Sequence, residues 1–364
     1  MRDPTSDASA TGSAAGPRIL SVAQALPPHF VDQETLLAAF RSLWGEKHFN
    51  VDRLEQLHRA VRVGGRHLAL PLEEYRGLES FSARNAAWTR VAVEVGADAI
   101  RTALLAADVA PAQVDHLYFV TVTGIATPSI DARLVERLGL RADVKRIPIF
   151  GLGCVAGAAG LARVADVLRG GRNEVAVLLA VELCSLTLQR DDLSIQNIVA
   201  SGLFGDGAAA AVVDGGARNQ GPRVAATRSV FYPGTERVMG WDVVDSGFKV
   251  VLSPGVPQLV REKLRSDVDG FLGAQGLRRS DIAHFICHTG GPRVLEAVED
   301  ALELSRPAMQ RSWDSLQSVG NLSSASVLFV LSDLLGSGEA RPGDRGLLLA
   351  MGPGFCSEMV LLEW

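Results

Sequence analysis

Cysteine is scarce in this chain of 364 residues: there are four, at positions 154, 184, 287 and 356, and none forms a Cys-x-x-Cys pair. That argues against a disulfide framework and the common zinc modules, and makes a reduced, cytoplasmic protein the expectation. No apolar run reaches the ~18 residues of a membrane span. The opening residues, Met1-Arg2-Asp3-Pro4-Thr5-Ser6-Asp7, lack the apolar core of a secretory signal. Positive charge is not in excess either: 36 Lys and Arg stand against 41 Asp and Glu, for a net charge of -5. Without a domain-wide basic surface, nucleic acid is not the expected partner. His29, His48, His58 and His67 show no ligand spacing, so no metal site is expected. No phosphate-binding G-x-x-x-x-G-K-[ST] loop is present. Gly151-Leu152-Gly153-Cys154 brings its third glycine at 157, one residue late for a dinucleotide fingerprint, and no acidic residue precedes Glu182 to close the next strand.

What is there is a globular balance, 47% hydrophobic and 21% charged, at a length that suits two domains. Residues 1–17 are rich in Ser, Ala, Gly, Thr and Asp and read as a disordered tail. Beyond Arg18-Ile19-Leu20-Ser21-Val22, a short strand, the pattern to about residue 110 is mainly helical. Ala87, Val91, Val95, Ala99 and Ala103, four residues apart, predict one long buried helix. Leu117–Val122 and Val175–Val181 read as buried strands, and Val155–Arg169 as a helix stopped by Gly170-Gly171. Helices alternating with short apolar strands predict an α/β protein with a covered sheet.

The sequence also repeats itself once. Gly16-Pro17-Arg18-Ile19 is echoed by Gly221-Pro222-Arg223-Val224, and Val114-Asp115-His116-Leu117 by Ile282-Ala283-His284-Phe285. Leu152-Gly153-Cys154-Val155 aligns with Val319-Gly320-Asn321-Leu322, which sets Cys154 opposite Asn321, Leu161 opposite Leu328 and Asp166 opposite Asp333. Phe204–Ala208 pairs more loosely with Met351–Phe355. Four echoes in one order predict a large unit used twice, as halves 18–220 and 221–364.

Two residues stand out chemically. Cys154 follows a glycine turn and opens a helix, where the macrodipole favours thiolate; the alternative is a buried structural cysteine. His288 ends the strand Phe285-Ile286-Cys287 and runs into Thr289-Gly290-Gly291-Pro292, at the strand end where α/β proteins place chemistry; the alternative is a structural histidine. His116 and His284 begin strands and are read as structural.

Four motifs now carry a family resemblance: Gly153-Cys154-Val155-Ala156-Gly157, Leu203-Phe204-Gly205-Asp206-Gly207-Ala208, His288-Thr289-Gly290-Gly291-Pro292 and Gly320-Asn321-Leu322-Ser323-Ser324-Ala325. In their order and placement residues 18–364 resemble the type III polyketide synthases, the chalcone-synthase-like branch of the thiolase fold. The resemblance implies a thiolase-like α/β fold of two duplicated α-β-α-β-α-β-β halves in αβαβα layers, and a homodimer. It implies a Cys154–His288–Asn321 triad, with CoA thioesters as substrates and no cofactor, metal or obligatory acyl-carrier protein. Cys154 then carries the acyl chain, while His288 and Asn321 hold the enolate left when malonyl-CoA loses carbon dioxide. Phe204 and Phe248 resemble the family's gatekeepers, with Cys184, Thr187 and Thr123 along the substrate cavity. The cations for the CoA phosphates are expected from Arg53, Arg59, Arg62 and Arg66, although the family's full basic pattern is not reproduced. The usual Gly-Phe-Gly-Pro-Gly loop reads Ala350-Met351-Gly352-Pro353-Gly354.

A β-ketoacyl-ACP synthase III shares fold and triad but normally reads His-Gln-Ala-Asn where this chain has His288-Thr289-Gly290-Gly291. A catalytically silent thiolase-fold partner would lack the nucleophile. The C-terminal stretch Met351–Leu362 resembles bacterial alkylpyrone and alkylresorcinol synthases, and residues near Val122-Thr123-Gly124 and Cys184-Ser185 are small. Together these predict a medium- or long-chain fatty acyl-CoA starter, each buried methylene contributing ~0.8 kcal/mol. The alternative is that the small residues only let strands pack, with malonyl-CoA itself as starter, as in tetrahydroxynaphthalene synthases.

Overall fold

The computed structural model describes residues 16–44, 51–171 and 173–364; most of the expected tail, and His48, lie outside them. The first half runs β1 (Arg18–Ala25), β2 (His29–Asp32), α1 (Gln33–Trp44), α2 (Val51–Ala60), β3 (Gly65–Leu68), α3 (Phe81–Ala106), β4 (His116–Thr121), α4 (Ile130–Leu138), β5 (Lys145–Phe150), α5 (Ala156–Leu168), β6 (Val175–Leu183), α6 (Ile195–Leu203) and β7 (Asp206–Asp214). The second runs β8 (Arg223–Phe231), β9 (Met239–Val244), β10 (Gly247–Leu252), α7 (Val256–Gly273), β11 (His284–Cys287), α8 (Pro292–Leu302), α9 (Gln310–Val319), α10 (Ser326–Ser337), β12 (Arg345–Gly352) and β13 (Cys356–Glu363).

The long helix predicted from alanine and valine spacing is α3. Ser80 caps it, its side chain accepting from the Ala83 amide at 3.1 Å, and all five spaced residues are buried. β4 and β6 are buried along their whole length, because helices cover both faces of the sheet. The region before residue 110 is less helical than its pattern predicts. β2 and β3 pair antiparallel across 32 intervening residues, from His29 against Leu68 to Asp32 against Gly65. Strands of four residues leave almost no periodic signal.

Nine strands form one mixed sheet in the order β11-β12-β13-β8-β1-β7-β6-β4-β5. Its symmetry is visible from the centre outward. β1 and β8 touch antiparallel at Arg18 and Arg223, inside the first sequence echo. Each then has an antiparallel neighbour (β7, β13), beyond it a second antiparallel step (β6, β12), and then a parallel strand (β4, β11). Among the described residues only the first half adds an outer strand, β5. α5 and α10 share one apolar cluster with the inner faces of both halves, whereas α3 packs outside the first half and α7, α8 and α9 outside the second. This is the expected αβαβα layering.

The echo around the nucleophile is displaced from its sequence alignment. Each central helix begins with a short 3-10 turn, 153–155 and 323–325, whose first residue is left-handed: φ is +55° at Gly153 and +48° at Ser323. Backbone geometry therefore pairs Cys154 with Ser324, not Asn321; Leu161 with Leu331; and Asp166 with Gly336. The ungapped alignment is three residues out because it matched glycines, whereas the second half uses Ser323 where the first uses Gly153. Asn321 lies just before its turn.

The two turns meet closely. A Cβ on Gly157 would stand 2.2 Å from the Ser324 carbonyl oxygen. Gly157→Ala should therefore lower stability by about 1–3 kcal/mol, the usual cost of overpacking, seen as an earlier midpoint in urea unfolding; an unchanged midpoint would mean the helices separate freely.

Candidate active site

The loop-to-helix turn that makes Gly153 left-handed also carries Cys154 to the base of a small chamber. There the cysteine is buried, and a Cβ at Gly153 would stand 2.7 Å from Pro353 Cγ, so glycine is required. His288 follows β11, its amide donating to the Leu349 carbonyl at 2.9 Å, which extends the β11–β12 ladder to the imidazole. Asn321 is held by backbone bonds to the other half: its amide donates to Leu203 O at 2.9 Å and its carbonyl accepts from Gly205 N at 3.0 Å. The side-chain oxygen of Asn321 accepts from Ser323 N at 2.8 Å, which sets the orientation of the amide and leaves its NH2 as the free end. Cys154, His288, Asn321 and Phe204 line the same chamber, with Trp241 and Pro353, and its volume is about 50 Å³.

Burial dominates the electrostatics. It pushes the Cys154 thiol up to about 12, against a hydrogen bond from its Sγ to Ser323 Oγ at 3.7 Å, with the nearby Glu182 adding to the rise. The same desolvation pulls His288 down to about 4, and its Nδ1 is buried with no hydrogen-bond partner among the described residues. Burial thus favours the neutral forms of both side chains, against the helix dipole, which favours thiolate.

Glu182, a lone charge in the apolar strand β6, is fully buried beside this chamber. Its Oε1 accepts from Ser324 Oγ at 2.5 Å and its Oε2 from Val122 N at 3.1 Å and Thr123 Oγ1 at 2.9 Å. Burial nevertheless raises its pKa to about 7. Sequence reading passed over it, though a single carboxylate in a nine-residue apolar strand was signal enough. Ser323 and Ser324 lay inside a quoted motif without an assigned role.

The remaining predicted residues separate. Phe204 stands on a wall, with Trp241 and Val250, between the chamber and a much larger cavity of about 740 Å³ lined by Cys184 and Thr187. Phe248 is not on that wall. It packs against Phe81, ring centres 5.4 Å apart, and lines a crevice of about 10 Å³ with Thr123, Trp88 and Thr187. Arg66 is 1% exposed. Its guanidinium donates to the carbonyls of Ser201 at 3.0 Å, Phe204 at 2.8 Å and Gly202, and to Gln33 Oε1. It caps the C-terminus of α6 and orients Phe204, so the expectation that it holds CoA phosphate is corrected. Arg59 forks onto Glu34 at 2.6 and 3.0 Å. Arg62 pairs with Glu296 at 3.4 Å in a separate surface cleft beside Trp313, and Arg53 lies on α2 near Gln56. His116 and His284 pair with Glu174 and Asp344 at 3.0 and 3.1 Å, as structural histidines do. Among the described residues no cluster of His, Cys, Asp and Glu is placed to hold a metal, and no helix is long and apolar enough to cross a membrane.

Sequence comparison matches the N-terminal domain of chalcone and stilbene synthases over residues 4–217 and the C-terminal domain over 223–364. The chain belongs to this family. It is a type III polyketide synthase: a free-standing acyltransferase that draws on acyl-CoA and malonyl-CoA and joins them by decarboxylative Claisen condensation. A 1,3,6,8-tetrahydroxynaphthalene synthase of Streptomyces peucetius subsp. caesius is 52% identical over 96% of this chain and 93% of its own. A phloroglucinol synthase of Pseudomonas fluorescens is 31% identical over 93% and 96%. The crystal structure of the tetrahydroxynaphthalene synthase of Streptomyces coelicolor superposes with a TM-score of 0.91 at 33% identity, over 95% of this chain and 99% of that one.

Because the folded pKa of Glu182, about 7, stands above the ordinary 4.5, its stabilising contribution is complete below about pH 4.5 and is lost as pH rises through 7. Between pH 5 and 8 the synthase should lose about 2–3 kcal/mol relative to Glu182→Gln, read as converging and then crossing melting curves; parallel curves would place the proton elsewhere.

Proposed function

We propose that this type III synthase primes itself with malonyl-CoA and condenses further malonyl units into a short aromatic polyketide of the tetrahydroxynaphthalene kind. The observation that carries this reading is the size of the chamber at Cys154. The free space beside Cys154, about 50 Å³, suits a small starter, and Phe204, Trp241 and Val250 divide it from the larger cavity. The similarity to tetrahydroxynaphthalene synthases supports the same choice. The long-chain starter expected partly from small residues near Val122–Gly124 gains no support there, because those residues are packed, whereas Cys184 and Ser185 line the larger cavity. A Cβ on Gly124 would fall 2.0 Å from the Trp88 ring, and the crevice at Thr123 holds about 10 Å³.

In this reading neutral His288 takes the Cys154 proton as sulfur attacks the starter thioester, then returns it to the departing CoA thiolate. A second malonyl-CoA places its thioester oxygen between His288 and the free NH2 of Asn321. Carbon dioxide leaves, and those two donors hold the enolate oxygen in a water-poor site. The enolate carbon bonds to the Cys154 acyl carbon, the thiolate is released, and the lengthened chain on CoA transfers back to sulfur. The substrates are the CoA thioesters, and the scheme calls for no cofactor. A homodimer fits the outermost strand, β5, where Phe150 is 53% exposed and Ile147 and Ile149 are half-buried.

Incubation with malonyl-CoA alone, and with octanoyl- or palmitoyl-CoA added, tests the priming reading by mass spectrometry. Malonyl-CoA alone should give the main aromatic product; a requirement for the fatty thioester would overturn it. Cys154→Ala should abolish acyl adduct and product together, a loss of about 10³-fold or more, with the wild-type adduct mapping to Cys154 and not to Cys184. Trp241→Ala should join chamber to cavity and raise kcat/KM for octanoyl-CoA about tenfold, or ~1.4 kcal/mol; no gain would remove Trp241 as the divider.

A further inference from the structure

The large cavity beyond Phe204 and Trp241 has a charge imbalance that the reaction scheme leaves unused. Among the described residues its lining includes the guanidiniums of Arg66, Arg76 and Arg190 and one carboxylate, Glu73. Arg66 is spent on carbonyls deep in the wall. Arg76, in the turn Leu72–Gly77, and Arg190, in the loop after β6, stand at the outer rim. Arg190 Nη1 donates to the Arg76 carbonyl at 3.2 Å, which ties the two together, and neither guanidinium forms an ion pair among the described residues. The rest of the lining is mainly apolar, with Tyr75, Ser185 and Asn197 among its polar members. Two unpaired guanidiniums at the end of a cavity of about 740 Å³ make a seat for an anion, and for a planar carboxylate in particular.

We propose that Arg76 and Arg190 bind the free carboxylate at the head of the growing chain. The proposal rests on malonyl priming: a malonyl starter loaded intact leaves a carboxylate at the end remote from sulfur. Each condensation inserts a two-carbon unit next to Cys154 and moves that head toward the rim, the Phe204 and Trp241 side chains turning aside to let it pass. A head held by two guanidiniums keeps the poly-β-ketone extended, so that early ring closure is disfavoured and chain length is set by the span from Cys154 to the rim. Holding the carboxylate as an anion also opposes its loss as neutral carbon dioxide.

The test supplies the full-length enzyme with malonyl thioester and deuterated acetyl thioester in one mixture. Labelled products then come from acetyl priming and unlabelled ones from malonyl priming. In Arg76→Gln/Arg190→Gln the ratio of longest to shortest unlabelled product should fall by about fivefold or more, while labelled products keep their wild-type distribution. The shift should be the same with CoA and with N-acetylcysteamine thioesters, which carry no phosphate. An unaltered unlabelled ratio would overturn the proposal. So would equal shifts in both product sets, the sign of a general packing defect, or an effect confined to CoA thioesters, the sign that the arginines hold CoA phosphate. Absence of unlabelled product from wild type would remove malonyl priming itself, and this proposal with it.

Discussion

The contact on which this molecule turns is the approach of two helix starts, one from each half of a duplicated chain. The carbonyl of Ser324 lies where a side chain on Gly157 would have to be, and Ser323 Oγ reaches the Cys154 sulfur. The nine-stranded sheet brings the halves together at β1 and β8, and α5 and α10 occupy the layer between them. Because the helices are in contact, groups separated by well over a hundred residues in sequence share one chamber. The close packing also leaves that chamber small.

Dryness follows from the same packing and governs the site's charges. A thiol, an imidazole and a carboxyl all lie in an environment that disfavours their charged forms, so Cys154 and Glu182 move up and His288 moves down. In the proposed scheme His288 takes the Cys154 proton when an acyl thioester arrives. Ser323 N on the Asn321 oxygen sets the orientation of that amide, which in the same scheme would hold the enolate without reorganisation. Outside this dry chamber the larger cavity is lined mainly by apolar side chains, with the cations Arg76 and Arg190 among its lining. The two spaces share only a thin wall of Phe204, Trp241 and Val250.

Arg66 shows how residue type and role diverge. In sequence it is one of four arginines within fourteen residues, all candidates for a phosphate. In the structure it is buried, and both its terminal nitrogens bond carbonyls at the end of α6, including that of Phe204. Phe248 diverges in the same way: an aromatic at the right interval from the motifs packs into a cluster of rings and leaves the dividing wall to Trp241.

Local pattern was sufficient where the physical cause is local. The four-residue spacing from Ala87 to Ala103 specifies α3, the continuous apolar runs specify β4 and β6, and the glycine turns mark both helix starts. The motifs around Cys154, His288 and Asn321 were legible because each lies on its own short, rigid turn. The three-residue displacement of the repeat was not legible, since a left-handed serine at 323 does the work of a glycine and only backbone torsions reveal it. Burial, the chamber's volume, the engagement of Arg66 and the pairing of Arg76 with Arg190 were likewise decided by tertiary structure. Each depends on what distant segments place against a residue, and desolvation and packing are properties of that assembled surrounding, not of the residue's neighbours in the chain.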